Sequence, residues 1–343
     1  MKLDLMTGGM PLRDMQRLAR DAADGGYAGL VVTEAGRTAY LSCAAAALAA
    51  DIDVLTGIAV AFPRSPMVTA SVAWEIADAS GGRFRLGLGT QVRAHIERRY
   101  SAEFDPPGPR MRDYVLAVRA AFAAFRGDEP LDHHGDFYDL SLLPAMWSPG
   151  PIAVADPPID IAAVNPWMLR LAGEMANGIH IHPLNTRTYL ESTVAENLAA
   201  GAQRAGRSLD DFQTIVPAFL IVGDTDDDRN RRRELARAQI AFYGSTPNYA
   251  FIFEQIDHPG TTAALREHQK AGDMAGMFQV ITDDHLRHFV TEGTWATIGD
   301  AIAERYGGIA TRVVDYFGAL SWRDDPASLT RWKPIADALR DIT

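Results

Sequence analysis

"GGRFRLGLGTQ", residues 81–91, decides how the rest of this chain is read. A G-x-G-T run after apolar residues is either a phosphate-cradling turn or the small-residue end of a strand. Upstream, Pro66 to Ala79 reads as a helix and Val54 to Val60 as a strand. With Phe84 to Gly89 as the next strand, the stretch completes a strand–helix–strand unit. A dinucleotide fold would carry G-x-G-x-x-G after its first strand, with an acidic residue about twenty positions on. Here the first strand, Lys2 to Thr7, runs into "TGGMP". The doubly wound sheet is set aside.

The same alternation extends along the whole chain. A helix over Pro11 to Asp24 places Leu12, Met15, Leu18, Ala19 and Ala22 on one face and stops at Gly25-Gly26. Strand 2 is Ala28 to Thr33, followed by the helix "SCAAAALAA" (42–50). A long helix covers Arg110 to Phe125, and a proline-rich loop spans 144–158. Strands 5, 6 and 7 are "IDIAAV" (159–164), "GIHIH" (178–182) and "TIVPAFLIVGD" (214–224). Thr225 with Asp228 predicts an N-cap for a helix reaching Phe242. "RVVDYF" (312–317) is strand 8, and a closing helix spans Ser328 to Leu339. Strands that alternate with helices predict an α/β fold, a (β/α)8 TIM barrel formed by residues 1–343 as a single domain. The interval between strands 7 and 8 is too long for one crossover, so residues 245–290 read as an inserted lid or helical excursion.

Composition narrows the partners. A net charge of −11 argues against a nucleic acid, whose phosphates call for a basic surface. Lysine occurs only at Lys2, Lys270 and Lys333, none at a strand end, which speaks against Schiff-base chemistry. Cys43 is the single cysteine, so no disulfide or thiolate cluster forms within the chain. No apolar run approaches a membrane span, and the expectation is a soluble, cytoplasmic protein acting on a small molecule.

Residues 56–100, "TGIAVAFPRSPMVTASVAWEIADASGGRFRLGLGTQVRAHIERRY", resemble the strand 3 to strand 4 region of the bacterial-luciferase-like superfamily. The pattern is matched by Arg64, Pro66, Ser80, Gly81, Gly82, Arg83, Phe84, Leu86, Gly87 and Gly89. "GDFYDL" (135–140) is similar to its hairpin, and "AGEMANGIHIHP" (172–183) to its entry into strand 6. "AFYGSTPNY" (241–249) and "ERYGG" (304–308) resemble the branch that depends on the deazaflavin coenzyme F420.

The resemblance implies that the G-x-G-T ends strand 4 beside an isoalloxazine-like ring, with small residues letting the backbone approach it. It places Glu34 at the deazaflavin edge, to position the ring or exchange a proton. It puts a bulge with a non-prolyl cis peptide at Ala59–Val60, Thr90 and Gln91 on the ring face, and His182, Pro183 and Thr186 near the cofactor phosphate. Ala163, Val164 and Asn165 would meet the cofactor tail, although relatives often have glycines where Val164 and Asn165 stand. Arg93, Arg98 and Arg99 are further candidates for that acidic tail. A sugar-phosphate dehydrogenase branch has a His after the strand-2 acid and a Glu after G-T-G; Ala35 and Val92 stand there instead. A His-Asp-Pro-Phe run is replaced by Arg37-Thr38-Ala39-Tyr40, so substrate and proton donor differ, with Tyr40, Gln91 and Tyr316 as pocket candidates.

The expected function is F420-dependent hydride transfer to a small organic substrate, an imine, ketone or activated alkene, by a homodimer. One alternative is a monooxygenase using reduced FMN. Another is a metal-dependent hydrolase using His180 and His182, which lie two apart on one strand. The last is a barrel that binds a ligand without catalysis.

Overall fold

The computed structural model describes residues 1–342. Eight parallel strands close on themselves: β1 (Lys2–Gly8), β2 (Gly29–Thr33), β3 (Asp53–Thr56), β4 (Phe84–Gly89), β5 (Ile159–Ala162), β6 (Gly178–His180), β7 (Gln213–Val222) and β8 (Arg312–Asp315). Neighbours pair in that order, and β8 pairs with β1 through Lys2↔Arg312 to Leu5↔Asp315. The fold is the (β/α)8 barrel read from the sequence.

Helices cover the outside. Helix Leu12–Asp24 buries Met15, Leu18, Ala19 and Ala22 as the periodicity predicts, whereas Leu12 at its first turn stays exposed. The helix over 42–50 starts earlier, at Ala39–Ala47, and the long helix runs Pro107–Arg126. Thr225 and Asp228 close a capping box on helix Asp226–Gly244. The closing helix divides into a 3-10 segment, Pro326–Trp332, and the α-helix Lys333–Leu339.

Two departures lie near the barrel mouth. Strand 3 is not continuous to Val60; it stops at Thr56, and a separate pair, Ala59–Val60, bonds only to β4. β7 bifurcates: Ile215–Ala218 pair with β8, while Phe219–Val222 pair with an extra parallel strand, Val290–Gly293. That strand ends a run of short helices, Ala250–Glu254, Thr261–Ala271, Met274–Gln279 and Asp283–Phe289. They carry an apolar cluster of Ile252, Phe253, Leu265, Met277 and Phe289, anchored on Phe219 and Ile221 of β7.

The barrel interior is layered. Near the N-terminal ends, Arg312 donates to both Asp4 oxygens (2.6 and 2.8 Å) and to Asp53 (2.9 Å), and Arg85 holds Asp160 at 2.5 and 2.9 Å. Above these charges Met6, Val31, Leu55, Ile215 and Val314 fill the middle. Alternation along each strand then puts Gly8, Thr33, Gly89, Ala162 and Tyr316 at the C-terminal mouth, where barrel active sites are built.

Candidate active site

Glu34 follows β2 directly, and its side chain is only 5% exposed. Its Oε2 accepts from the Val60 backbone N–H (2.8 Å) and from Arg64 Nη1 (2.8 Å), and its Oε1 accepts from Arg64 Nη2 (2.5 Å). Arg64 Nη1 also donates to the Val60 carbonyl at 2.9 Å. The predicted strand-2 acid therefore reaches the third-strand bulge, already bound to a guanidinium. The non-prolyl cis peptide stands at Gly57–Ile58, two residues before the Ala59–Val60 bond expected for it. Ala59 and Val60 are both buried beside β4.

The fourth-strand glycines serve the protein's own packing. A Cβ on Gly87 would lie 2.5 Å from His180 Nε2 and would also strike the Thr56 carbonyl oxygen. A Cβ on Gly89 would lie 2.6 Å from Ile58 Cδ1. Small residues are needed here, as the sequence suggested, and the protein atoms they admit belong to His180, Thr56 and Ile58. Beyond them Thr90 and Gln91 are half-buried. Gln91 has φ 58°, a left-handed conformation a non-glycine residue rarely adopts, and its Oε1 accepts from Val92 N–H at 2.9 Å.

Tyr40 offers no free hydroxyl to a pocket. It is 5% exposed, lies beneath the Arg64 guanidinium (5.1 Å to the ring centroid), and its OH is buried without a hydrogen-bond partner. Desolvation raises its pKa, which keeps the phenol protonated.

The two histidines of strand 6 part company. His180 points into the barrel, 3.8 Å from Asp160, with Nε2 buried and unpartnered; burial pushes its pKa down to about 3. β6 ends there, and His182 turns to pack against Tyr243 (4.7 Å) and Tyr249 (4.5 Å). Desolvation lowers its pKa to about 3 as well, so the ring is neutral at pH 7. Its Nδ1 accepts from Leu184 N–H at 3.1 Å, which leaves the ring proton on Nε2 as a donor. Among the described residues no group of three or more His, Cys, Asp or Glu side chains is placed to hold a metal ion, so the metal-hydrolase reading loses its ligand set.

Two helix N-termini meet at the ends of β5 and β6. Asn165 caps helix Pro166–Met175 by accepting from Met168 N–H (3.0 Å), and Thr186 caps the next helix by accepting from Tyr189 N–H (3.1 Å). The Asn165 and Thr186 side chains are thus engaged locally. Ala163 donates weakly to His180 O (3.4 Å), and the Val164 carbonyl accepts from Tyr189 OH (2.8 Å). Pro183 and His182 each offer a carbonyl to Asn185 Nδ2. Arg93 is paired with Asp105 and Glu97, and Arg99 donates to Ala35 O (2.7 Å), so both are committed to the protein.

Sequence reasoning named Tyr316 and His182 but missed the aromatic wall they form with Tyr243 and Tyr249. Tyr316 OH meets Tyr243 OH at 2.7 Å and Gln239 Oε1 at 3.1 Å, while its ring packs on Phe219 at 4.8 Å. Tyr243 and Tyr249 lie inside the "AFYGSTPNY" run that was read only as a likeness, and Arg64 inside the R-x-P pattern. Both signals were present without an indication of what the side chains touch.

The comparisons with known proteins agree with this architecture. The family model described as luciferase-like monooxygenase matches residues 2–312. An uncharacterised protein of Mycobacterium tuberculosis is 35% identical over 305 residues, covering 89% of this chain and 88% of its own length. A 5,10-methylenetetrahydromethanopterin reductase of Archaeoglobus fulgidus is 29% identical over 265 residues, covering 75% of this chain and 74% of its own. The structure of the coenzyme F420 dependent tetrahydromethanopterin reductase from Methanopyrus kandleri superposes with a TM-score of 0.77 at 19% identity, covering 97% of both chains, a likeness of fold. With a closed barrel, a broken third strand and a family match spanning most of its length, the chain belongs to the luciferase-like monooxygenase family.

Proposed function

We propose that the protein is an oxidoreductase that holds coenzyme F420 across the barrel mouth and transfers hydride to a small imine, ketone or activated alkene. The observation that carries this reading is the ledge at Ile58–Val60, held by Glu34 and Arg64 next to the end of β4. The Archaeoglobus relative's name supports a reductase, and the Methanopyrus structure's name, which includes coenzyme F420, supports the choice of the deazaflavin.

The residues present fit such a group by their donor chemistry. The helix N-termini at Asn165 and Thr186 turn partial positive charge toward one region, suited to an anionic tail. The neutral His182 has one N–H to donate, and the backbone of Ala163 and Val164 is tied to His180 and Tyr189 by hydrogen bonds. Thr90 and Gln91 would border the ring face. When bound, F420 supplies a hydride at its C5 and reacts poorly with oxygen. The chain itself would position the ring and shield one of its faces, and the proton that completes the substrate's reduction would come from solvent. Glu34 is engaged by Arg64 and Val60, Ala35 stands where a histidine base would follow it, and desolvation leaves His180 and His182 only weakly basic, so no strong base stands at these strand ends to deprotonate an alcohol. That favours reduction over oxidation.

Titration of the purified protein with oxidised F420 and with FMN tests this. Binding of F420 at least tenfold tighter than FMN is the expected outcome; the opposite order overturns it. The second reading, a monooxygenase using reduced FMN, is favoured by the description of the family model and would be the one left standing. The proposal includes a homodimer through the early helices, where Leu41, Leu48 and Val68 are exposed. A solution mass of one chain would remove that part.

A further inference from the structure

We infer that Arg64 is a positioning residue, acting through Glu34 and Val60, and that Glu34 is the fixed anion of this clamp and takes no part in proton exchange. The inference rests on the reading above that the ring lies against this ledge, and it assigns the two residues their parts.

The reason lies in backbone accounting. β2 pairs with β3 only as far as Val32↔Thr56, because the third strand breaks there. When the chain resumes as Ala59–Val60, one edge bonds to β4, as Ala59↔Leu88 and Val60↔Gly89. The other edge faces the gap where β2 should continue. Buried backbone groups left without partners are costly. Glu34 and Arg64 fill that gap: the Val60 N–H donates to Glu34 at 2.8 Å, and the Val60 carbonyl accepts from Arg64 at 2.9 Å. One ion pair thus replaces a missing strand.

The same geometry speaks against proton exchange. Glu34 Oε2 already accepts two N–H donors and Oε1 a third. A proton on either oxygen would face a guanidinium or amide hydrogen and displace it. The pair is largely buried, with side-chain exposures of 23% and 5%, and the Tyr40 ring closes it from below. Removing one partner from such a pair leaves the other charge stranded, so each single loss should cost about as much as losing both.

The test uses the whole protein in five forms: wild type, Arg64→Met, Arg64→Lys, Glu34→Gln and the double variant Arg64→Met/Glu34→Gln. In the cofactor-free state, amide hydrogen exchange at Val60 should accelerate at least about tenfold in Arg64→Met and Glu34→Gln, with Ile179 of β6 unchanged. Oxidised F420 should bind about tenfold more weakly to either single variant, and no more weakly to the double. Arg64→Lys should recover part of the affinity, and the absorption band of the bound deazaflavin should shift in Arg64→Met. The pH profile of kcat/KM should keep its shape in Glu34→Gln. The inference is overturned if Glu34→Gln binds F420 within about twofold of wild type yet loses turnover together with the acidic limb of the profile. Unaltered exchange at Val60 would overturn it equally. If the wild type binds neither F420 nor FMN, the functional reading falls, and exchange at Val60 still decides the clamp.

Discussion

The two sides of the barrel mouth are built on opposite principles. From β1 to β5 the walls are small residues and backbone, with Gly87 packed so closely on backbone that no methyl group fits, Gly89 against the Ile58 side chain, and Glu34–Arg64 completing a broken strand. From β6 to β8 the wall is side chains: His182, Tyr243, Tyr249 and Tyr316, two of them delivered by the segment after β7. Backbone fixed by hydrogen bonds cannot adjust to a new ligand, whereas aromatic rings change rotamer or substitute at modest cost. The contrast teaches where each kind of binding belongs. Under the proposed function, the rigid side would hold the ring identically each turnover, while Tyr243 and Tyr316 of the aromatic side would meet a variable substrate and His182 would serve the cofactor's tail.

The contrast can be broken by substitution. Gly87→Ala should be the most damaging change, because its Cβ meets backbone at Thr56 and the ring of His180; a loss of about 3 kcal/mol or more is expected, read as a lowered Tm or an insoluble product. A variant melting like wild type would show that the rigid side yields after all. Acid should act next. His180 and His182 have folded pKa values near 3 and His285 about 4, all set chiefly by desolvation, below the 6.5 of an exposed histidine. The unfolded chain therefore binds more protons in that interval, and the stability these groups contribute, full above pH 6.5, is lost as pH falls toward 4. Buried Asp315, raised by desolvation to about 6, and buried Asp160, also raised by desolvation, oppose this in part. Urea midpoints at pH 7 and 5 should show the net fall, and His182→Gln should reduce its slope.

Smaller effects separate the two sides. Thr186→Ala removes a buried helix cap beneath the aromatic wall and should cost about 1–2 kcal/mol, with Thr186→Ser restoring most of it. Tyr243→Phe removes one partner of the Tyr243–Tyr316 bond, worth about 0.5–1.5 kcal/mol. Its sharper consequence is kinetic: KM for the substrate should rise while F420 affinity stays within about twofold. Equal loss of both would mean that the ring lies on the tyrosines and the division of labour is wrong.

Much of this was readable before folding. Alternating apolar runs and 3.6-residue periodicity located all eight strands and the helices after strands 1 to 4 and 7, because both periods follow from backbone geometry, while Pro166–Met175, Ala195–Ala205 and Ile298–Tyr306 went unread. The strand-2 acid and the small residues of β4 were legible as types. Their partners were not: nothing in the chain says that Glu34 meets Arg64 thirty positions on, or that Gly87 yields space to His180 from the far wall. Tyr40 reads as a pocket residue and is buried under a guanidinium. His180 and His182 share a strand pattern and diverge because β6 ends between them.

By itself the sequence determined the barrel, its helical cover and the places where strands run into loops, since those depend on local periodicity and turn chemistry. Only the tertiary structure decided where strand 3 breaks, that an ion pair takes the place of the missing edge, and that an aromatic wall stands opposite. Those outcomes depend on which groups, distant along the chain, are left needing hydrogen-bond partners or space once the cylinder closes.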